Sequence, residues 1–301
     1  MSYADKVFCE MCENVLSKNN MTECRAIWTD TGQQSSTISD FAVVNRYDLK
    51  KEFPILTIRP VPLKSAIDEI LWIYQKKSNN IKDLNSHVWD DWADKNGSIG
   101  AAYGFQVRTQ LKKVKVEKEI CNDPFEQDSV LIEVSNLYLD QTDYVLHELK
   151  NNPFSRRIII NLYNPGQVDL MGLEPCAFMV NFKVTKNEEN GKLTLNSILY
   201  QRSQDILVAN GWNVAQYAAL THMFAQVSDM EVGEFVHVIA DAHIYDRHVE
   251  TVKELIQREQ TTAPKLCINP NIKNFYDFKP EDFELIDYKP GPQIKGIDVA
   301  V

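Results

Sequence analysis

The clearest rhythm of apolar and polar positions lies in residues 62–77. Leu63, Ile67, Ile70, Leu71 and Tyr74 recur every three or four places and predict a helix with one buried face. Helices are also expected over 3–18, 140–151, 212–228 and 246–259. Short apolar runs predict strands over 157–164 and 235–241. A strand pair is expected over 176–184 and 192–201, joined by the polar turn from Lys186 to Gly191. Residues 41–60 read as short strands punctuated by Pro54 and Pro60. Residues 19–40, with Arg25 near their start and Asp30-Thr31-Gly32 inside, read as polar and turn-rich. Residues 109–136 are rich in Lys and Glu and read as a mobile or accessory insertion. Strands and helices mix without strict βαβ alternation. The expected fold class is therefore α+β, as a single domain over 1–301 with the insertion near 109–136.

Composition narrows the class. The chain has 301 residues, 44% hydrophobic and 25% charged, enough for a sizeable core. No apolar run approaches the roughly 20 residues that cross a bilayer. The start, Met1-Ser2-Tyr3-Ala4-Asp5, lacks the pattern of a signal peptide, so a cytoplasmic location and no membrane partner are expected. The net charge of −10 argues against a general nucleic-acid surface and requires any anion pocket to gather arginine locally. The 6 cysteines are expected to be reduced. Cys9-x-x-Cys12 has no second pair at zinc spacing, so both are expected to face the core and no metal site is expected.

Several residues carry a bland and a chemical reading side by side. Cys176, in Leu173-Glu174-Pro175-Cys176, is either a small buried hydrophobe or a nucleophile eased by Arg202, which lies beside it if the two strands pair. Arg156-Arg157 is either a solvated pair or a phosphate fork. Glu69 sits among Ile67, Ile70 and Leu71. It either finds a groove to solvent or is desolvated, with a raised pKa suited to proton transfer. Trp89 and Trp92 are core residues or a stacking wall. Asn213 is an N-cap at a helix start, or an amide offering donor and acceptor together, as a uracil edge requires. His243 and Tyr245 alternate on a strand, so they share a side, as a satisfied polar pair or as ligands.

Taken in order, Glu69-Ile70-Leu71-Trp72, Trp89-Asp90-x-Trp92, Tyr103-Gly104, Ser155-Arg156-Arg157, Leu173-Glu174-Pro175-Cys176, Gln201-Arg202-Ser203-x-Asp205, Asn213-Val214-Ala215-x-Tyr217, Gly233-Glu234-Phe235 to His248, and the ending Val299-Ala300-Val301 resemble thymidylate synthase. The match runs from about Arg25 to the last residue. It implies a mixed β-sheet flanked by helices, in a homodimer packed sheet to sheet. It also implies reductive methylation of deoxyuridine monophosphate, with 5,10-methylenetetrahydrofolate as co-substrate and no metal.

The resemblance further implies roles. Cys176 attacks C6 of the pyrimidine. Arg25, Arg202 and Ser203 hold the phosphate, with Arg156 and Arg157 crossing from the partner subunit, and Arg202 also lowers the thiol pKa. Asn213 reads the uracil, and His243 and Tyr245 bind the sugar hydroxyl. Glu69 and Tyr103 manage protons. Trp89, Trp92, Asp205, Ala209, Trp212 and Val301 belong to the folate site. The chain departs from the family pattern at Ala177, usually His, at Asn181, usually Gln, and at Ala209, usually Gly. The Arg25 loop is longer than usual. A pyrimidine deoxynucleotide hydroxymethylase of the same fold is the alternative, suggested by the altered Val208–Trp212 segment. Asn213 and Trp89 favour uracil and a methyl product. A nucleotide- or RNA-binding protein and a cysteine hydrolase are further alternatives. Intact Cys176, Glu69 and Tyr103 argue against the first, and Ala177 supplies no base for the second.

Overall fold

A computed structural model describes residues 1–120, 131–188 and 190–300 of the chain. In chain order, the helix α1 (Tyr3–Lys18) leads to strands β1 (Thr22–Ile27) and β2 (Gln34–Asp48), then to α2 (Leu63–Tyr74) and the single turn α3 (Gly104–Val107). A hairpin of β3 (Lys112–Ile120) and β4 (Leu131–Leu139) precedes α4 (Gln141–Asn151) and β5 (Ile159–Asn161). Then come β6 (Ala177–Lys186), β7 (Leu193–Gln201), the short β8 (Gln204–Asp205), α5 (Ile206–Val227), β9 (Glu231–Tyr245) and α6 (Val249–Leu255). The tail pairs β10 (Lys265–Ile268) with β11 (Phe283–Ile286).

The main sheet runs β1-β2-β9-β7-β6-β5, with β8 beside β9. It is mixed, because β7 and β8 run parallel to β9 while its other pairs are antiparallel. A parallel pair needs a long crossover, and α5 supplies it. That helix is apolar nearly all round, as befits a helix buried at the centre. It packs against α2, whose predicted face (Leu63, Ile67, Ile70, Leu71, Tyr74) is buried with it in one core.

Four expectations need correction. Residues 41–60, read as short strands, instead continue β2 to Asp48 and then run without strand to Pro60. Residues 19–40 are strand over most of their length, because β1 pairs with β2 and β2 pairs with β9 from Thr37 onward, and these ladders override the polar composition. The helix expected from 212 begins at Ile206. Gly211 lies inside that helix, packed closely on Leu56, whose side-chain end would lie 2.9 Å from a β-carbon there. The helix expected over 246–259 shortens to α6, after a single 3-10 turn at Asp246–His248. The segment 109–136 forms most of the β3–β4 hairpin, off the main sheet, with Lys112 opposite Leu139 and Ile120 opposite Leu131. Residues 121–130 lie outside the described residues.

Candidate active site

Cys176 stands just before β6, and two neighbours hold its backbone. Its N–H donates to the Tyr103 hydroxyl at 3.0 Å, and its carbonyl accepts the Arg202 N–H at 2.9 Å. The second bond exists because β6 and β7 pair, with Ala177 opposite Gln201. The half-buried thiol lies 4.0 Å from the Glu174 carbonyl, which also accepts Arg202 Nη2 at 2.8 Å. Burial pushes the thiol above its usual range; Arg202 pulls it down and Glu174 pushes it up. Arg202 lowers the thiol pKa as expected, but its effect is smaller than that of burial. The guanidinium opposes the shift without reversing it, because desolvating the sulfur outweighs one neighbouring cation. The resting group is a thiol, and it must lose its proton to act as a nucleophile.

Tyr103 sits at φ +44°, in the left-handed region where side chains are strained. The neighbouring Gly104 explains the tight turn: a β-carbon there would lie 2.1 Å from the Ser78 carbonyl oxygen. Burial pushes the Tyr103 phenol well above its ordinary range, and a thiolate at Cys176 adds to it. The hydroxyl therefore keeps its proton while accepting from Cys176.

Glu69 is 7% exposed on α2. Trp89 Nε1 donates to one carboxylate oxygen at 2.7 Å. Trp212 Nε1 and Gln216 Nε2 donate to the other at 2.5 and 2.8 Å. Burial raises its pKa, against the pull of these three donors. Trp89 also meets Tyr103 edge-on, with ring centroids 4.9 Å apart, and meets Trp92 the same way at 5.7 Å. The two tryptophans thus form an edge-packed wall rather than a parallel stack.

Asn213 lies in the second turn of α5. It is not the N-cap, a place taken by Asp205, whose side chain accepts the Val208 N–H at 3.2 Å. Asn213 Nδ2 donates to Gln216 Oε1 at 3.2 Å, and its Oδ1 accepts Gln201 Nε2 at 3.1 Å. Gln201 Oε1 in turn accepts from His237 Nε2 at 2.8 Å and Gln204 Nε2 at 3.2 Å. Sequence reasoning missed Gln216 and His237. The signal for Gln216 was its place one helical turn after Asn213.

His243 and Tyr245 sit on β9 opposite Ser39 and Thr37, with rings edge-on at 5.2 Å. Burial raises the Tyr245 hydroxyl, and the charges of Cys24, Asp205 and Cys176 add to that, so it lies within electrostatic reach of the nucleophile. Half-buried Ser203 occupies the turn between β7 and β8, and half-buried Ala209 the first turn of α5.

The chain end is tied nearby. Ala300 bridges to Trp28, the Asp298 carbonyl lies 2.9 Å from His248 Nε2, and Arg247 stacks over Trp28 at 4.4 Å. Val301 lies outside the described residues. Cys9 and Cys12 are buried in α1, and burial lifts the Cys9 thiol to about 11, so they act as core residues.

Three expected phosphate ligands are exposed at the surface. Arg25 is exposed on the edge strand β1. Arg156 and Arg157 are exposed before β5 and line a recess of about 820 Å³ with Tyr144 and Phe154; Cys176 is not among its lining residues. Among the described residues, the side chains of all three make no hydrogen bond or ion pair.

A family model described as thymidylate synthase matches residues 6–301. The thymidylate synthase of Bacillus mojavensis is 40% identical over 308 aligned positions, spanning 100% of both chains. Thymidylate synthase 1 of Bacillus subtilis strain 168 is 39% identical over 307 positions, again across 100% of each. Among solved structures, thermostable thymidylate synthase A from Bacillus subtilis superposes with a TM-score of 0.82 at 38% identity, covering 99% of each chain.

Proposed function

The chain belongs to the thymidylate synthase family, and from that premise we propose how its own residues carry the family reaction. That reaction is the reductive methylation of deoxyuridine monophosphate to thymidine monophosphate, with 5,10-methylenetetrahydrofolate as co-substrate. The observation that carries the reading is a continuous path of contacts. It runs from Cys176 through Tyr103 and Trp89 to Glu69, and on through Gln216 to Asn213. These residues come from well-separated stretches of the chain.

Cys176 loses its proton and adds to C6 of the pyrimidine, which turns C5 into a carbon nucleophile. The folate supplies the one-carbon unit and then the hydride. Asn213 holds the ring by its free N–H and lone pair. Glu69, buried yet met by three donors, exchanges protons with the ring's O4 side. Tyr103 takes part in removing the C5 proton, its hydroxyl fixed by the Cys176 N–H. His243 and Tyr245 face the sugar, and Arg202 and Ser203 the phosphate, with exposed Arg25 joining them. Sulfur then leaves C6, which restores the enzyme.

The residues present fit a folate. Trp89, Trp92 and Trp212 give an aromatic wall, and Asp205 and Ala209 complete the pocket. Arg59 leaves Nε and Nη1 buried without partners, within electrostatic reach of Asp205, which suits an acid with an anionic tail.

The enzyme acts as a homodimer, with Arg156 and Arg157 serving the partner's nucleotide. Support comes from the exposure of both arginines, whose side chains have no partner among the described residues, and from apolar residues on β2 left open to solvent, Phe41 at 83% and Val44 at 52%. The whole chain forms one domain, with 109–136 as its insertion. No described helix is long and apolar enough to cross a membrane, and the cytoplasm is its proposed location.

Two experiments test this. Tritium release from C5-labelled deoxyuridylate should depend on the folate and vanish in Cys176→Ala. A Cys176→Ala protein mixed with an Arg156→Ala/Arg157→Ala protein should regain activity through the one intact site of each hybrid. Activity retained without Cys176 refutes the nucleophile, and mixing without recovery refutes the crossed arginines. Mass analysis of the product excludes the hydroxymethylase if no added oxygen is found.

A further inference from the structure

We propose that Gln216 is a positioning residue that fixes which way the Asn213 amide faces, and so sets the preference for uracil over cytosine. The proposal rests on the reading that Asn213 contacts the base.

A carboxamide can be turned end for end, and only its partners decide the orientation. Gln216 has no choice. Its Nε2 lies 2.8 Å from the Glu69 carboxylate and 3.1 Å from the Ala66 carbonyl, and the carbonyl can only accept. The carboxylate already takes two indole N–H groups, so a reversed Gln216 would set its oxygen against both. Its Oε1 therefore faces Asn213, whose Nδ2 must donate to it at 3.2 Å. Asn213 Oδ1 is then left to accept from Gln201 Nε2 at 3.1 Å. Gln201 Oε1 receives Gln204 Nε2 and His237 Nε2, so the order of donors and acceptors agrees at the far end.

Each end of the Asn213 amide uses half its capacity on this chain. One N–H and one lone pair remain, in a fixed order. Uracil offers O4 as acceptor beside N3–H as donor, and it matches an amide that can present them in that order. Cytosine offers the reverse, an amino donor beside a bare N3 acceptor. To read it, Asn213 would have to turn over. That would set its Nδ2 against Gln201 Nε2 and its Oδ1 against Gln216 Oε1, two mismatches that no member can relieve alone because Glu69 and Ala66 anchor the end. Leaving buried polar groups mispaired is how a site rejects a near-isostere strongly.

The test is equilibrium binding of deoxyuridylate and deoxycytidylate to the full-length protein. Gln216→Met keeps the volume and removes all three side-chain bonds. The expected result is that the preference for deoxyuridylate falls by about tenfold or more, the worth of one or two hydrogen bonds. A merely structural role would weaken both ligands equally and leave the ratio unchanged, and that result overturns the proposal. If Gln216→Met does not fold, Gln201→Met loosens the other side of the same amide and is expected to lower the ratio too; an unchanged ratio there is equally fatal. Asn213→Asp separates the two levels of the argument. If it shifts the ratio towards cytosine while Gln216→Met and Gln201→Met do not, Asn213 reads the base but the relay is refuted. If Asn213→Asp leaves the ratio alone, the base-reading role itself has failed, and the relay with it.

Discussion

Between Glu69 and His237, the side-chain amides of Gln216, Asn213 and Gln201 have protein partners at both ends. The arginines assigned to the anionic parts of the ligands are the opposite case, unlike Arg46, Arg247 and Arg258, which pair with carboxylates. Arg202 leaves Nε buried without a partner, Arg59 leaves Nε and Nη1, and Arg25, Arg156 and Arg157 hold no side-chain bond among the described residues. The contrast tracks what each region must bind. A neutral ring edge is recognised by geometry, so its reader is held rigid in advance. A dianionic phosphate is recognised by charge, and donors left free lose nothing when it arrives. Closing the arginines onto internal carboxylates would stabilise the empty protein and compete with the ligand.

The sharpest way to break this contrast is at Glu69, where the wired region is anchored. Three N–H donors converge on its two oxygens. Glu69→Gln replaces one oxygen with an NH₂ that must face a donor, and it removes the group that exchanges protons. A fall in kcat of about 10²–10⁴-fold is expected, in the range of general acid–base groups. Steady-state kinetics read this directly. A loss confined to KM would place Glu69 in binding alone.

At the unwired end a smaller and different effect follows. Arg202→Ala should raise KM for the nucleotide by roughly 10–100-fold, the worth of one charge-assisted contact. The wild-type KM should also rise with salt, because exposed charge is screened, while the preference for deoxyuridylate over deoxycytidylate stays level. If salt eroded that preference too, the two regions would not be separate devices.

How much of this was legible beforehand follows the same divide. The face of α2 and the β6–β7 pair come from local periodicity and a polar turn, and both are where the pattern places them. The ordered motifs identify the family without any geometry. What local pattern cannot carry is the balance of burial against charge at Cys176, where a cation in the neighbouring strand is outweighed by desolvation that only the folded core creates. Nor can it carry the length of β2, which a long-range ladder decides. Gln216 is the instructive miss. Its spacing from Asn213 is plain, but the partners that fix its direction, Glu69 and Ala66, lie 147 and 150 residues away.

The smallest prediction concerns the far end of the wired chain. His237 is fully buried, with Nε2 bound to Gln201 and Nδ1 without a partner, and burial holds its pKa down at about 3. His222 is likewise held at about 4. In the unfolded chain both would titrate near 6.5. As pH falls below that value the unfolded state binds protons that the folded state refuses, so stability is lost on acidification. Each histidine contributes a slope of up to about 1.4 kcal/mol per pH unit, until its folded pKa is reached. His237→Gln keeps a donor for Gln201 and removes the titration. At a fixed protein concentration, its loss of stability between pH 6 and 5 should be shallower than that of the wild type by about 1 kcal/mol. Parallel denaturation curves for the two proteins would mean that His237 takes up its proton without unfolding. The imidazolium would still donate from Nε2 to Gln201 Oε1, so this outcome would remove the acid sensitivity while leaving the order of donors and acceptors in the amide chain unchanged.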